Sequence, residues 1–284
     1  MKLVSFRVAG RESFGLVVGD GIVELSNRLG VPTLKSLMAA GRLEEARRFE
    51  DAGPSVSLDE VTLLPVIPDP AHIWCLAINY QDHIDEIREV GIQRDVPKHP
   101  AVFMRYADTL VADGEPLVKP KVSDDFDYEG ELAVVIGKGG RDIREDEAMD
   151  YVAGYSIFND ASVRDWQFHT RQIAPGKNFH GTGSLGPWLV TRDEVSDPNE
   201  LRIETRLNGE ALQRSSTRYM IHKIPTFIAY VSQFLDLQPG DVLATGTPSG
   251  VGFSRKPPIF MKAGDVCEVE IEGVGLLRNP IVAG

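Results

Sequence analysis

The sequence predicts an α+β protein in which a small β-rich domain, residues 1–66, precedes a larger domain, residues 67–284. Short apolar or alternating runs bounded by Gly, Asp and Pro recur along the chain, as expected for β-strands separated by turns. Helical spacing of apolar residues is confined to a few separate segments. The Pro-punctuated connector Asp59–Asp69, with the sequence DEVTLLPVIPD, marks the boundary between the two domains.

The composition of the 284-residue chain is that of an ordinary globular protein, with 42% hydrophobic and 25% charged residues. Its 30 basic and 42 acidic residues give a formal net charge of −12, which argues against a nucleic-acid or anionic-membrane partner. We expect a cytoplasmic protein, because the start of the chain does not resemble a signal peptide and no run approaches the roughly 18 apolar residues of a membrane span. Cys75 and Cys267 are expected to be free buried thiols, and a disulfide between them is the alternative.

The N-terminal domain is predicted to contain strands followed by a helix. KLVSFRV and SFGLVVG are typical of strands, and Gly19-Asp20-Gly21 indicates a hairpin turn before IVEL. The segment VPTLKSLMAAGRLEEARRFEDAG has helical spacing and ends at Gly53-Pro54. Nothing in this domain indicates chemistry.

The first candidate catalytic residues follow the apolar strand HIWCLAIN, residues 72–79. The next segment has the spacing of a short amphipathic helix, on which His83 and Glu86 are neighbours at i and i+3. A carboxylate beside an imidazole raises its basicity and fixes its orientation, as a general base requires. A solvated acidic face with a stray histidine is the alternative. The polar, Pro-flanked stretch Gly91–Pro100 favours a mobile lid, which with the helix would span about residues 81–97.

Three carboxylates near strand ends form a candidate metal site. Glu129 and Glu131 precede the apolar run LAVVIG and would point to the same face of a strand, because side chains alternate with a period of two. Asp160 ends the next strand-like run, YVAGYSIFND. Carboxylates held this close stay ionised when a hard divalent cation lies between them. The alternative is the solvent face of an edge strand, but a strand that is apolar on both sides is buried.

Several polar residues in loops are candidates for binding a substrate. Arg105 follows an apolar run and can either bind a carboxylate in fork geometry or form a structural ion pair. Gln167 lies in the polar segment after Asp160, and Lys177 lies in the glycine-bracketed loop PGKNFHGTGS, where its charge can stabilise an enolate. His169 and His180 are expected to be structural. The candidates Gly246 and Thr247 follow the strand VLA, and a glycine lets a ligand approach the backbone closely.

The C-terminal part is predicted to contain two hairpins around a helix. Residues 200–217 indicate a hairpin with Asn208-Gly209 at its turn. KIPTFIAYVSQFLDLQPGD has helical spacing and a Pro-Gly stop. The last hairpin has Gly264-Asp265 before its first strand and Gly273 at its turn.

From about residue 70 to the C-terminus, the order of these segments resembles the fumarylacetoacetate hydrolase superfamily. The shared segments are NYQDHIDE, DYEGELAVVIG, GYSIFNDASVRDWQ, PGKNFHGTGSLGPW, LNGE, LATGTPSGVG and GDVCEVEIEGVG. The resemblance implies a fold of layered mixed β-sheets, commonly as a homodimer, with residues 1–66 as the small leading domain of longer members. Asn79 stands where animal fumarylacetoacetate hydrolases have a further Asp, so the chain looks like the three-carboxylate bacterial and acylpyruvase branch.

The resemblance also assigns roles to individual residues. It makes Glu129, Glu131 and Asp160 ligands of Mg²⁺ or Mn²⁺, with Ca²⁺ also compatible with an oxygen-only site. It makes His83 and Glu86 the lid dyad of that branch. Gln167 and Lys177 match active-site polar residues, and Thr247 matches a substrate contact.

The reaction implied first is hydrolytic C–C cleavage of a 1,3-diketo acid such as an acylpyruvate, a small-molecule oxo acid. His83 would activate the attacking water, and Lys177 would stabilise the enolate that is released. Enolate chemistry without a hydrolytic water would instead serve isomerisation of a hydroxymuconate-type diacid or decarboxylation of oxaloacetate. A non-catalytic, metal-bound binding protein is the remote alternative.

Overall fold

The computed structural model describes residues 1–93, 95–96 and 98–284. The strands are β1 (Lys2–Val8), β2 (Arg11–Val18), β3 (Gly21–Glu24), β4 (Val56–Ser57), β5 (Thr62–Leu63), β6 (Ile73–Ala77), β7 (Ala101–Arg105), β8 (Leu110–Val111), β9 (Leu117–Lys119), β10 (Phe126–Asp127), β11 (Gly130–Ile136), β12 (Val152–Asn159), β13 (Ser162–Val163), β14 (Gly183–Thr191), β15 (Arg202–Leu207), β16 (Glu210–Ser216), β17 (Val242–Ala244), β18 (Val266–Ile271) and β19 (Gly275–Ala283). The α-helices are α1 (Ser26–Leu29), α2 (Leu34–Ala39), α3 (Gln81–Glu89), α4 (Arg164–Gln167), α5 (Ala174–Lys177) and α6 (Ile224–Ser232). The 3-10 turns are Leu43–Phe49, Leu58–Glu60, Ala107–Thr109, Ala148–Tyr151, Arg192–Glu194, Thr217–Tyr219 and Gly252–Ser254.

A large mixed sheet runs through the molecule in the order β4-β3-β2-β1-β14-β12-β11-β17-β6-β7. The N-terminal strands join it through antiparallel pairing of β1 with β14, where Leu3 lies opposite Leu189. Phe14 and Leu16 from β2 share one hydrophobic cluster with Ala133 from β11. The N-terminal strands and the strands that carry the candidate site therefore share a sheet and a core, and the division at residue 66 stays a prediction.

A second sheet, in the order β16-β15-β18-β19-β9, packs against the first to form the layered arrangement. The core between the layers contains Leu132 and Ile157 from the first sheet and Val269 and Leu277 from the second. Both predicted C-terminal hairpins are part of the second sheet, with the turns at the predicted residues. The α+β class with layered mixed sheets is thus confirmed.

The predicted helices are shorter than the sequence pattern suggested. The pattern over residues 31–53 divides into α2 and a 3-10 turn, because Gly41 adopts a left-handed conformation with φ of 66°. The later helix, α6, ends at Ser232, well before Pro239.

Cys75 and Cys267 are free and buried, as expected. Within the part of the chain that is described, no helix is long and apolar enough to cross a membrane.

Gly130 begins β11, between Glu129 and Glu131, at a place where the two layers touch. A Cβ atom there would clash with Thr205 Oγ1 and lie 2.9 Å from Val269 Cγ1. The Glu-Gly-Glu motif therefore needs glycine because the strand crosses the second sheet without space for a side chain. We expect Gly130→Ala to lower the free energy of unfolding by about 1–3 kcal/mol, as overpacked cores do.

Urea unfolding of Gly130→Ala would measure this loss, with Gly53→Ala as its matched control. Gly53 is exposed, and no atom of the described residues lies within 4 Å of where its Cβ would be. Equal stability of the two variants would show that the layers separate easily at Gly130 and would contradict the steric explanation.

Candidate metal centre and catalytic cavity

The structure brings Glu129, Glu131 and Asp160 together at one edge of the large sheet. Strands β11 and β12 pair antiparallel with Gly130 opposite Asn159, so the start of one strand lies beside the end of the other. One carboxylate oxygen from each of the three residues lies within 4.8 Å of the others, and all three residues are buried. This is the arrangement that the spacing of the residues predicted.

Three cationic side chains surround two of these carboxylates. Lys177 Nζ lies 2.6 Å from Glu129 Oε2 and 2.6 Å from Asp160 Oδ2. Arg164 Nη1 lies 2.6 Å from Glu129 Oε1, and Arg105 Nη1 lies 2.6 Å from Asp160 Oδ1. Glu129 and Asp160 are therefore each held between two positive groups.

Glu131 is different, because none of the described Lys or Arg residues forms an ion pair with it. Its Oε2 accepts a hydrogen bond of 2.8 Å from the backbone N–H of Gly246. Burial, together with the negative charges of Asp160 and Glu129, raises the pKa of Glu131 well above its usual range. Burial would also raise the pKa of Glu129, but Lys177 and Arg164 outweigh it and lower this pKa to about 2.

The residues present fit a hard divalent cation. The donor set consists of carboxylate oxygens only, which Mg²⁺ and Mn²⁺ prefer. Ionised Glu131 has no Lys or Arg partner among the described residues, so a bound cation would neutralise it, and each carboxylate offers about four lone-pair sites. Glu129 and Asp160 thus keep acceptor capacity beyond their ion pairs. Glu129, Glu131 and Asp160 are the residues that would hold the ion.

The His83–Glu86 pair predicted on the helix is formed in α3. His83 Nδ1 lies 3.2 Å from Glu86 Oε2, and the backbone N–H of Gly250 donates to Glu86 Oε1 at 2.8 Å. Burial would raise the pKa of Glu86, but the hydrogen bonds from His83, Ser254 and Gly250 outweigh it and lower the pKa. Glu86 is therefore a carboxylate that accepts from Nδ1–H, which leaves His83 Nε2 as a proton acceptor.

His83, Glu129 and Glu131 line the same cavity, which has a volume of about 580 Å³. Its polar lining includes Glu129, Glu131, Lys177, Arg164, Gln167 and Thr247. Its apolar lining includes Trp74, Leu76, Ile87, Ile92, Val102 and Phe103. The predicted lid includes Arg94 and Pro97, which lie outside the described residues. The described portion contributes α3 and Ile92 to the cavity wall.

Of the two roles that the sequence allows for Arg105, substrate binding and a structural ion pair, the structure shows the ion pair. Its guanidinium is fully buried and donates to Asp160 Oδ1, to the carbonyl of Ala161 and to Thr182 Oγ1. The fork geometry that suggested carboxylate binding is thus used on a carboxylate of the protein. Arg105 orients Asp160 and does not line the cavity.

The other predicted binding residues differ in what they contact. Gly246 supports Glu131 through its backbone N–H and does not line the cavity. Thr247 lines the cavity, and its hydroxyl donates to the carbonyl of Gly130 at 3.0 Å. Gln167 also lines the cavity, where its Oε1 accepts from Arg164 Nη1 at 2.9 Å.

Sequence reasoning missed Arg164 as a site residue. Its guanidinium is buried, binds Asp127 through Nε and Glu129 through Nη1, and lies over the ring of Phe253. Arg164 Nη2 is a buried donor without a hydrogen-bond partner among the described residues, which makes it available to a ligand. Its position four residues after Asp160, in the same polar segment as Gln167, is the signal that was available.

The whole chain is similar to proteins of known structure and name. Residues 72–282 match the family model described as fumarylacetoacetate (FAA) hydrolase C-terminal. The Xenopus laevis protein named oxaloacetate tautomerase fahd2, mitochondrial, is 40% identical over 99% of this chain and 90% of its own length. Fumarylacetoacetate hydrolase (EaFAH) from psychrophilic Exiguobacterium antarcticum is 34% identical with a TM-score of 0.83, and all of both chains is covered. Maleylpyruvate hydrolase from Sphingobium sp. SYK-6, in complex with manganese(II) ion and pyruvate, is 28% identical with a TM-score of 0.82 over all of both chains.

Proposed function

The chain belongs to the fumarylacetoacetate hydrolase superfamily and is an enzyme of that superfamily, and from this premise we propose that it transfers a proton at the carbon beside the keto group of a 2-oxo acid. The reaction that we favour is enol–keto tautomerisation of a short 2-oxo diacid of the oxaloacetate type. The observation that carries the proposal is that His83, oriented by Glu86, lines the same cavity as Glu129, Glu131 and Lys177. The name of the full-length Xenopus laevis relative supports this choice of reaction.

Each residue has a separate task in this proposal. A divalent cation held by Glu129, Glu131 and Asp160 would polarise the keto group of the substrate. In the keto-to-enol direction, Nε2 of His83 takes the proton from the carbon beside the keto group and returns it to the enolate oxygen, and the reverse steps form the keto tautomer. Burial opposes charge on Lys177, but Asp160 and Glu129 outweigh it and raise its pKa, so its ammonium group stays positive beside the developing enolate. Arg164 and Gln167 bind the carboxylate of the substrate.

A second candidate is hydrolytic C–C cleavage of an acylpyruvate, which the Sphingobium hydrolase with bound pyruvate favours. In this reaction His83 takes a proton from water, and the water attacks the distal carbonyl. The bond between the distal carbonyl carbon and the methylene carbon breaks, and its electron pair forms the pyruvate enolate beside Lys177. The protonated His83 then returns its proton to that methylene carbon, which gives pyruvate and the carboxylic acid. Both candidates need the same base and the same stabilised enolate, and they differ in whether a water molecule attacks.

Metal-stripped protein assayed with enol-oxaloacetate and with acetylpyruvate, before and after addition of Mg²⁺ or Mn²⁺, would separate these reactions. We expect metal-dependent acceleration of the loss of the enol, with oxaloacetate recovered as its keto form by NMR. The same metal without protein is the essential control, because the free tautomers interconvert in solution.

Each alternative function is identified by the products that it would give in the same assays. Pyruvate and acetate from acetylpyruvate would establish the hydrolase, and pyruvate and CO₂ from oxaloacetate would establish a decarboxylase. Tight metal binding without turnover of any oxo acid would contradict an enzymatic role and favour the binding-protein alternative.

The homodimer, the acylpyruvase branch and the cytoplasmic location stay predictions from the sequence and its resemblance. The Xenopus laevis relative is named as a mitochondrial protein. Manganese in the Sphingobium structure supports a divalent ion in this chain, and we propose Mg²⁺ or Mn²⁺.

A further inference from the structure

Gln213 is a completely buried amide in β16, on the second sheet, and it has no place in the reaction described above. Its Oε1 accepts a hydrogen bond of 3.0 Å from the backbone N–H of Gly130. Its Nε2 donates to Thr247 Oγ1 at 2.8 Å and to the carbonyl of Pro248 at 2.9 Å. All three of these hydrogen bonds are thus directed at the back of the candidate site.

These bonds close a ring around the residue between two of the metal-site carboxylates. Gly130 donates to Gln213, Gln213 donates to Thr247, and Thr247 donates back to the carbonyl of Gly130. On its other side Gly130 is opposite Asn159 of β12. The strand β17 pairs with β11 only from Ala133 onward, so here two side chains replace the missing strand neighbour.

The same loop holds the helix that carries His83. Two residues beyond Pro248, the backbone N–H of Gly250 donates to Glu86, the partner of His83. Ser249 Oγ donates to Asp82 Oδ2 at 2.9 Å, which is a second bond between the loop and α3. Hydrogen bonds therefore link Gly130 through Gln213 to the loop at Pro248, and, two residues along its backbone, link the loop at Gly250 to the partner of the proposed base.

On the basis of the metal site and base proposed above, we propose that Gln213 is a positioning residue that sets the carboxylates on either side of Gly130 in register with the His83–Glu86 pair of α3. Only a primary amide of this length provides an acceptor for a backbone N–H and two donors at once. Glutamate would place an acceptor against the carbonyl of Pro248, and methionine would leave the Gly130 N–H without its partner. Gln213 acts through Gly130 and Thr247 and does not line the cavity.

Gln213→Met tests this role, because it keeps the length of the side chain and removes all three hydrogen bonds. Asn279→Leu is the matched control: Asn279 is a buried amide of the same sheet, and its Nδ2 donates to the carbonyls of Ala112 and Glu115, away from the site. The dissociation constant of Mn²⁺, from the EPR signal of the free ion, reports the carboxylates without any assay of turnover. Hydrogen exchange of peptides covering α3, measured with Mn²⁺ bound, reports the other end of the path.

We expect Gln213→Met to weaken Mn²⁺ binding by about tenfold or more, as losses of the groups that orient metal ligands do, and to speed exchange in α3. Asn279→Leu should lose comparable stability in urea and change neither readout. Thr247→Val breaks the same ring, so the double variant should lose less Mn²⁺ affinity than the two single losses combined.

Unchanged Mn²⁺ affinity, a change in only one of the two readouts, or equal changes in Asn279→Leu would each overturn the positioning role of Gln213. Additive losses in the double variant would also overturn it. The outcomes above concern Gln213 alone. Failure of the unmodified protein to bind Mn²⁺ would overturn the proposed metal-dependent function itself, so the two failures are distinguishable.

Discussion

Glu131→Gln is expected to abolish metal-dependent turnover while leaving the metal-free protein at least as stable as before. Glu131 is the member of the carboxylate cluster for which the described chain provides no Lys or Arg partner, so its negative charge is balanced only when a cation binds. Glutamine retains the size of the side chain and an oxygen that accepts from the N–H of Gly246. It removes the anionic ligand together with its repulsion from Glu129 and Asp160.

The activity loss should exceed about 100-fold, because losing a ligand costs more than the 10- to 100-fold typical of its supporting groups. Thermal unfolding with and without Mn²⁺ separates the two effects: the ion should raise the midpoint of the unmodified protein and leave that of Glu131→Gln unchanged. Glu210→Gln, at an exposed residue of β16, controls for the change in net charge. An Mn²⁺-dependent stabilisation of Glu131→Gln equal to that of the unmodified protein would remove Glu131 from the metal site.

The sequence was informative where chemistry depends on local spacing. A period of two placed Glu129, just before β11, beside Glu131, and three-residue spacing placed Glu86 beside His83. These relations hold within one strand or one helix, and tertiary packing does not alter them. Asp160 joined the cluster because consecutive strands pair antiparallel, which places the end of β12 beside the start of β11.

Contacts between distant segments could not be predicted in this way. Arg105 satisfied the expectation of carboxylate binding, but its partner is Asp160, 55 residues along the chain. Gln213 reaches Gly130 from 83 residues away, in the other sheet, and no spacing rule links a strand of one layer to a strand of the other. The pairing of β1 with β14 is also a contact between segments far apart in the chain. The sequence pattern therefore predicts a separate N-terminal domain, although its strands share a sheet with the rest of the fold.

His83→Ala should lower kcat by about 10²- to 10⁴-fold, the contribution typical of a positioned general base, without weakening Mn²⁺ binding. The imidazole lines the cavity from α3, whereas the carboxylates are on β11 and after β12, so removing it leaves every proposed ligand in place. His180→Ala is the matched control, because His180 is exposed and does not line the cavity.

Glu86→Gln refines the same prediction, because the glutamine retains an oxygen that can accept from His83 but lacks the charge that stabilises the protonated imidazole. Its kcat should lie between those of the unmodified protein and His83→Ala, and its Mn²⁺ affinity should match both. Unchanged turnover in His83→Ala with the metal still bound would show that the base is elsewhere. If tautomerisation falls but cleavage of acetylpyruvate is unaffected, then His83 acts on carbon-bound protons, and the attacking water is activated by a different group.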